Sequence, residues 1–321
     1  MRHPWVNTAL LLLLVLQLVT GFLGLIAGDP GQRWRLWLHD TGGWAILVLL
    51  AWKAMVIGDS LARRRRPPPQ RPLFLVMTAL LVATLGTGFI WTTAGRVELA
   101  GYGLVTIHTT LAVALALLLA SHTLSMRFIF GVRGAADRRA FLRLAATGVA
   151  GAAIWQTSGA LKGFLDLPGS RRRFTGSYET GSYTCQFPRV SWFGDDPDPV
   201  DRDSWRLIVD GAVDRPFTLT YQELGEMGED HSEAVLDCTG GWYSTQDWLG
   251  VNVGRLLDAA QPQGVASSVT FESVTGYDRR YGVDQARNYL LATQVAGGSL
   301  SHGHGVPGAP GGARAARLRL G

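Results

Sequence analysis

Residues 234–253 read AVLDCTGGWYSTQDWLGVNV, and this stretch places one cysteine between an apolar run and a glycine pair. The run at residues 234–236 predicts a short buried strand, and the TGG that follows Cys238 favours a tight turn. Trp242 and Trp248 come next and supply enough apolar surface to wall a cavity. A thiolate in such a cavity can bind a metal or attack a substrate. The alternative, which spacing alone favours, is a buried and inert cysteine.

Four further sequence blocks surround this stretch in a recognisable order. They are FP at 187–188, WRLIVDG at 205–211, VTFESVTGY at 269–277 and GHGVP at 303–307. With LDCTGGW they resemble the sulfite-oxidase-like molybdopterin oxidoreductases, a family that includes the periplasmic methionine sulfoxide reductases. The resemblance covers residues 174–304. It implies that Cys238 is catalytic and that its sulfur binds molybdenum, because a soft thiolate suits a metal already bound by the sulfurs of the pterin.

The same resemblance implies four residues that contact the molybdopterin cofactor. Phe187 would line one side, Ser273 would offer a hydroxyl to the phosphate-bearing part, Tyr277 lies in the following loop, and His304 would reach the pterin or its phosphate. The residues alone leave two alternatives open, since Ser273 can bond to strand backbone and His304 can be solvated in a glycine loop. Cys185, the other cysteine, is given no role, so no disulfide framework is predicted.

Composition indicates two domains and a membrane. The chain has 321 residues, is 47% hydrophobic and has a mean hydropathy of +0.13, with the excess in its first half. The net charge of +5 does not indicate nucleic-acid binding, because the arginines flank apolar runs instead of forming a patch with interleaved aromatics. The sequence contains no Walker loop, dinucleotide fingerprint or zinc spacing.

The first half predicts an all-α transmembrane bundle of four to five helices. Four apolar runs, each about long enough to cross a bilayer, occupy residues 6–27, 37–57, 73–93 and 104–124. Arginines follow the second and the fourth run, and positive loops stay in the cytoplasm. We therefore predict a cytoplasmic N-terminus in an integral cytoplasmic-membrane protein, with a bundle over residues 1–135.

An internal repeat relates the first two predicted helices to the next two. VTGFLG at residues 19–24 precedes His39, and GTGFIW at residues 86–91 precedes His108. Both histidines then lie at the outer ends of predicted helices, where ionisable side chains are costly and usually functional. Two neutral imidazoles at one depth suit axial ligation of a haem b iron, and nearby glycines at positions 42, 43, 86 and 88 would admit the flat macrocycle. The alternative for His39 is solvation at the interface.

A second haem is a weaker prediction. His122 follows His108 by 14 residues and shares its helix face, the ligand spacing of two-haem cytochromes b, which this half resembles weakly. The repeat, however, places Lys53 where the partner of His122 would lie, and only His3 could substitute for it. We therefore predict one outer haem, with His122 and Lys53 in the inner half or near a quinone.

The junction at residues 136–170 contains DRRAFLRL at residues 137–144, which resembles a twin-arginine export signal. The alternative is a basic loop before a fifth span, although the apolar run at residues 141–155 is short for one. Either interpretation leaves the catalytic domain, residues 171–321, outside the cytoplasm.

The second domain is predicted to be α+β with a mixed, largely antiparallel sheet. Strands are expected at residues 205–210, 269–274 and 289–295, and helices after Thr220 and at residues 254–260. Where the family continues with further strands, residues 308–321 show no alternation and resemble low-complexity sequence. The sequence therefore predicts a truncated or aberrant C-terminus that lacks a terminal strand and leaves a sheet edge exposed.

These features predict a multidomain, membrane-anchored molybdopterin oxidoreductase. It would transfer an oxygen atom to or from a small oxo-substrate such as sulfite or a sulfoxide, and a membrane haem b would pass electrons to or from the quinone pool. One alternative is a non-catalytic electron-transfer or sensor protein with a degenerate molybdopterin domain. A second alternative is a structural or transporter-like membrane anchor.

Overall fold

The structure is a computed structural model that describes residues 4–61, 71–125, 138–189, 200–304 and 315–321. The chain divides into two compact units. The helical unit comprises Met1–Glu179 together with Asp237–Trp242, and the sheet unit comprises Thr180–Leu236 together with Tyr243–Gly321. The short segment that carries Cys238 thus belongs to the helical unit, although its neighbours in sequence belong to the sheet unit.

Long helices form most of the helical unit. They are α1 (Pro4–Leu25), α2 (Trp34–Leu61), α3 (Arg71–Ala94), α4 (Leu104–Ser125) and α5 (Arg138–Phe164). Helix α2 packs against α1 and α5, and α3 packs against α4. Two short strands, β1 (Glu98–Leu99) and β2 (Tyr102–Gly103), pair between α3 and α4, and β3 (Tyr178–Glu179) follows α5. The repeat in the sequence therefore corresponds to two helical hairpins, α1–α2 and α3–α4.

Three of the described helices are long and apolar enough to cross a membrane, namely those containing Trp5–Leu25, Pro72–Ala94 and Leu104–Leu124. They are compatible with membrane anchoring. The sequence predicted a fourth span within α2, which is 28 residues long but contains His39, Asp40 and Lys53. The predicted short run at residues 141–155 belongs to the 27-residue α5, because its alanines favour helix well beyond the apolar stretch.

The sheet unit contains two sheets. The first has the strand order β5–β4–β12–β8–β9, formed by Phe217–Thr220, Arg206–Gly211, Ala315–Leu320, Ser268–Glu272 and Asp278–Gly282. Only the β4–β12 pair of this sheet is parallel. The second has the order β11–β10–β7, formed by Gly298–Ser299, Leu290–Val295 and Trp242–Asn252, and β6 (Asp230–Cys238) also pairs with β7. This confirms a mixed, largely antiparallel arrangement.

Short helices complete this unit: α6 (Tyr221–Glu226), α7 (Val253–Ala260) and α8 (Val283–Ala286). Thr220 caps α6 through a capping box with Glu223, as the sequence predicted. Helix α7 buries Leu256 and Leu257 completely in the core beside β4 and β7. The predicted strands and helices of this unit are therefore present, within a few residues at each end.

The prediction that the C-terminal segment lacks a strand was wrong. Strand β12 lies in the middle of its sheet, between β4 and β8, where Leu318 and Leu320 are 1% and 2% exposed. Arg317 and Arg319 alternate with these leucines, and both pair with Asp210. The sequence ARLRL thus has the period of a strand that is buried on one face. Residues 305–314 lie outside the described part of the chain.

Candidate functional site

Cys238 is the last residue of β6 and begins the turn that leads to β7. Its Sγ accepts a hydrogen bond from the Gly240 N–H at 3.3 Å, and its carbonyl oxygen accepts one from the Gly241 N–H at 2.9 Å. Burial raises the pKa of the half-buried thiol, and the charge of Asp237 acts in the same direction, while the Gly240 N–H opposes both. A metal that binds this sulfur would therefore displace a proton.

Glycine is required at position 241 for two reasons. Its φ is +84°, a left-handed conformation that L side chains rarely adopt. A Cβ at this position would also lie 2.5 Å from Cζ2 of Trp91 and 2.7 Å from Cγ2 of Val105. The turn that carries Cys238 consequently packs against α3 and α4 through the backbone of Gly241.

Tyr178 binds this turn and α3 at the same time. Its backbone N–H donates to the Gly241 carbonyl at 3.0 Å, and its hydroxyl donates to the carbonyl of Trp91. That carbonyl is one of the last four of α3, which no helical N–H can satisfy. The two rings form an edge-to-face pair with centroids 5.0 Å apart, and burial raises the pKa of Tyr178 to about 12. The tyrosine therefore stays protonated and keeps its donor.

Asp237, next to Cys238, is held by three residues of the segment that follows α5. Its carboxylate accepts hydrogen bonds from Thr175 Oγ1 and Ser177 Oγ, each at 2.7 Å, and lies 3.1 Å from Nε of Arg173. All four residues belong to the helical unit. The cysteine turn is therefore fixed on its Asp237 side as well as through Gly241.

His39 and His108 face each other between the two helical hairpins. Their ring centroids are 6.1 Å apart, with the planes at 78°. Nδ1 of His39 lies 3.1 Å from the Gln17 carbonyl, and Nδ1 of His108 lies 2.9 Å from the Thr84 carbonyl. A carbonyl only accepts, so each Nδ1 carries the proton and each Nε2 keeps a free lone pair for a metal.

This pair fits a shared iron. Metal–imidazole bonds are about 2 Å long, so two rings on opposite sides of one metal have centroids roughly 6 Å apart. Glycine also leaves room for each ring, since a Cβ at Gly21 would lie 3.0 Å from Cε1 of His39 and one at Gly88 would lie 3.1 Å from Cε1 of His108. The described residues contain no cluster of three or more His, Cys, Asp or Glu that could hold a metal by itself.

The other residues of the haem prediction are placed as follows. At Gly43 and Gly86 an added Cβ would meet no atom within 4 Å, whereas Gly42 faces the side chain of Gln17 and Gly88 faces His108. His122 lies in the last turn of α4, and Lys53 lies in α2. His3 is outside the described residues.

Phe187 and His304 lie together in the sheet unit. Their ring centroids are 4.0 Å apart, and Phe187 also meets Trp248 of β7 edge-on. Nε2 of His304 donates to the Phe187 carbonyl at 3.1 Å, and Nδ1 accepts from the Ser301 hydroxyl at 2.7 Å. His304 is thus not free in a glycine loop, because both ring nitrogens already have protein partners.

Ser273 and Tyr277 form a second pair, in the exposed turn between β8 and β9. The Ser273 N–H donates to the Tyr277 carbonyl at 2.8 Å, and the Ser273 hydroxyl bonds to that of Thr275 at 2.8 Å. The Arg279 guanidinium lies 4.5 Å from the centre of the Tyr277 ring. The four residues expected to contact the pterin therefore lie in two pairs, each associated with a different sheet.

Several site residues were missed in the sequence. Thr20 and Thr87 place their hydroxyl oxygens 3.2 Å from Nδ1 of His39 and His108, respectively. The sequence did contain an indication of both threonines, because each belongs to the TGF triplet that the two repeated blocks share. Asp40, which follows His39, pairs with Arg172 at 3.3 Å, but nothing in the spacing indicated this partner.

Comparison with known proteins identifies the domain that contains the cysteine motif. Residues 194–308 match the family described as the oxidoreductase molybdopterin binding domain. An uncharacterized oxidoreductase, YuiH, from Bacillus subtilis (strain 168) is 32% identical over 130 residues, covering 39% of this chain and 64% of that protein. The nitrate reductase [NADPH] of Beauveria bassiana is 29% identical over 133 residues, covering 32% of this chain and 15% of that protein.

One solved structure with a similar region is that of the sulfane dehydrogenase SoxCD from Paracoccus pantotrophus, with a TM-score of 0.34 and 17% identity over 38% of this chain and 39% of that one. The chain spans less than two thirds of each of these relatives. Residues 194–308 of this chain therefore resemble an oxidoreductase molybdopterin-binding domain, and both curated relatives that match this part of the chain carry the name of an oxidoreductase.

Proposed function

We propose that the molybdopterin-binding domain of this chain transfers an oxygen atom to or from a small oxo-substrate such as sulfite or a sulfoxide. The observation that carries the proposal is the position of Cys238, half-buried at a strand end inside the matched LDCTGGW block. Its Sγ accepts the Gly240 N–H and also bonds to the Thr239 side chain, and both contacts favour the thiolate that a metal would bind. Molybdopterin, when bound, supplies the two-electron redox chemistry of oxygen-atom transfer.

The residues around the cofactor would have separate roles. Cys238 would hold the metal and tune it through sulfur donation. Phe187 would close one side of the cofactor pocket, and His304, whose nitrogens are both engaged, would support Phe187 instead of binding a phosphate. Ser273 and Tyr277, in one exposed turn, would contact the polar part of the cofactor.

We further propose that His39 and His108 bind one haem b. The facing rings, the protonated Nδ1 atoms and the glycine beside each ring support it. This haem would pass single electrons between the molybdenum site and the quinone pool. His122 and Lys53 would lie nearer the inner end, where a second haem has no matching histidine pair.

We also propose that the apolar helices anchor the protein in a membrane and that its charges set the orientation. Three candidate spans support a membrane anchor. The arginine-rich stretches support a cytoplasmic N-terminus and an extracytoplasmic catalytic domain. The twin-arginine-like DRRAFLRL would suit export of a folded, cofactor-loaded domain. The alternative of a degenerate, non-catalytic domain was suggested by an aberrant C-terminus, and strand β12 removes part of that reason.

Substitution of the cysteine tests the catalytic proposal. Cys238→Ser removes the soft ligand, so purified protein should lose molybdenum, measured by elemental analysis, and lose turnover of sulfite or dimethyl sulfoxide with an artificial redox dye. Cys185→Ser is the matched control, because that exposed cysteine has no role in the proposal. Wild-type molybdenum content and turnover in Cys238→Ser would refute the assignment.

Haem binding is tested separately by spectroscopy. The wild-type protein in detergent should give a b-type band in a reduced-minus-oxidised spectrum, and His108→Ala should abolish it. His231→Ala is the control, because its side chain is 67% exposed and lies in the sheet unit. The haem proposal fails if the wild-type protein shows no band, or if the band is unchanged in His108→Ala.

A further inference from the structure

The cysteine turn and the two histidines belong to the same compact unit of the structure. The turn Asp237–Trp242 is grouped with the helices that carry His39 and His108. Beneath it lies a small apolar cluster of Trp91, Leu104 and Tyr178, which are buried, with Val97, Val105 and Ile107 packed around them. This cluster, called here the turn platform, is formed almost entirely by α3, α4 and the hairpin between them.

Both helices of the turn platform also lie close to His108. Helix α3 borders its ring, and helix α4 carries it. On α3, Trp91 follows Gly88 by three residues, and Gly88 borders the His108 ring. On α4, Val105 precedes His108 by three residues. Residues three apart lie on the same side of a helix, about one turn along its axis. The turn platform and His108 therefore lie about one helical turn apart along α3 and along α4.

The contact between turn and turn platform is held rigidly. The backbone of Gly241 has no side chain to separate it from Trp91 and Val105. Trp91 Nε1 donates to the Gly176 carbonyl at 3.1 Å, and Tyr178 bonds both to Gly241 and to Trp91. These bonds fix the position of the turn relative to α3 and α4.

We infer that Trp91 and Tyr178 are positioning residues that hold the Cys238 turn against α3 and α4, so that electrons pass between Cys238 and His108 through Gly241, Trp91 and Val105. The inference rests on the proposed function, since it needs a metal on Cys238 and a haem iron on His108. Each passage oxidises one centre by one electron and reduces the other by one, and no atom moves along the path. The two electrons of one oxygen-atom transfer pass singly, with quinone or quinol as the final partner.

The rate of electron transfer inside the protein tests this inference directly. A flash-photoreduced flavin, with EDTA as the sacrificial donor, reduces the haem of the full-length protein in detergent. The subsequent absorbance change of the haem reports its equilibration with the other centre. Trp91→Leu and Gly241→Ala should each slow this phase relative to the wild-type protein, because both variants disturb the contact between the cysteine turn and the turn platform.

Two further variants keep the test informative if those two fold poorly. Trp91→Phe removes the ring atoms that face Gly241 and should also slow the phase, whereas Tyr178→Phe removes one hydroxyl and should slow it less. Trp52→Leu is the control, because Trp52 lies on α2, is 47% exposed and contacts Trp5 instead of the turn platform. It should keep the wild-type rate.

Metal contents separate the possible outcomes. Slow transfer with wild-type haem spectrum, reduction potential, iron and molybdenum supports the inference, because a merely structural defect would change those four as well. A wild-type rate in Trp91→Phe and Gly241→Ala with both metals present overturns the inference and leaves the proposed function intact. Wild-type protein that binds no molybdenum or no haem overturns the proposed function itself.

Discussion

A small set of residues around each histidine has the same arrangement in both halves of the bundle. In each half a Thr-Gly-Phe triplet supplies a hydroxyl beside Nδ1 and a glycine beside Cε1, while a carbonyl of the same helix accepts the Nδ1 proton. Ligand histidines are commonly oriented by such partners, which fix the tautomer and the direction of the ring. The arrangement therefore favours a metal-binding role for both histidines over simple solvation.

Filling the space beside one ring should weaken haem binding. In Gly88→Ala the new Cβ would lie 3.1 Å from Cε1 of His108, tighter than ordinary contacts, so the ring must move. We expect haem affinity to fall roughly tenfold, the lower end of what losing an orienting partner costs. Haem titration of the apoprotein measures it. Gly148→Ala on α5 is the control, since its Cβ would meet no atom within 4 Å. Equal affinities in both variants would contradict a haem beside this ring.

Among the elements, strand β12 is central to the sheet unit. It pairs with β4 in parallel and with β8 in the antiparallel sense, so it occupies the centre of a five-stranded sheet. Its leucines join the core that α7 also enters. A segment that composition marked as low-complexity therefore contributes directly to folding stability.

Truncating one leucine of β12 should destabilise the sheet unit clearly. Leu318 is 1% exposed, and Leu318→Ala should lower the free energy of unfolding by about 2–5 kcal/mol because it leaves a cavity. Urea denaturation followed by tryptophan fluorescence measures it. Arg319→Ala, at a position with a 60% exposed side chain, should cost about 1 kcal/mol or less. Similar costs for the two variants would show that β12 is not buried in solution.

The stability of the sheet unit should depend on pH, because Asp230 of β6 bonds to Asn252 and Arg255. The pKa of Asp230 lies below its ordinary value of 3.8 because its carboxylate accepts the Asn252 N–H and pairs with Arg255. A carboxyl whose pKa is lowered on folding stabilises the protein above its unfolded pKa, and this contribution disappears as the pH falls through the folded pKa. Asp230→Asn should therefore destabilise the sheet unit at pH about 7 and much less at pH about 3. Urea midpoints that differ equally at both pH values would contradict this.

The sequence predicts a structural feature well when neighbouring residues determine it, and poorly when distant segments do. The helix after Thr220 follows from a capping box within four residues, and α7 follows from the spacing of Leu256 and Leu257, so both were predictable. Strand β12 was missed because its alternation covers only a few residues after a glycine- and alanine-rich stretch. The packing of Gly241 on Trp91 could not be predicted, since it joins segments far apart in the chain and leaves no periodic signal.

For the whole molecule, the unit to which each candidate site residue belongs is more informative than its position in the sequence. Cys238, His39 and His108 all belong to the helical unit, although two family blocks precede the cysteine block along the chain and two follow it. The sheet unit instead contains Phe187, Ser273, Tyr277 and His304. A metal on Cys238 would therefore be fixed relative to His39 and His108 by contacts within one unit.

The orientation of the whole chain can be tested with its own cysteines. Positive loops predict a cytoplasmic N-terminus, so residues after α5 should lie outside the cytoplasm. Cys185 is exposed, whereas Cys238 is half-buried and would be protected by a metal. A membrane-impermeant maleimide should therefore label the protein in intact spheroplasts, and Cys185→Ser should remove most of that label. Cys238→Ser is the matched control and should keep it. Labelling that appears only after lysis would place Cys185 in the cytoplasm and contradict the predicted orientation.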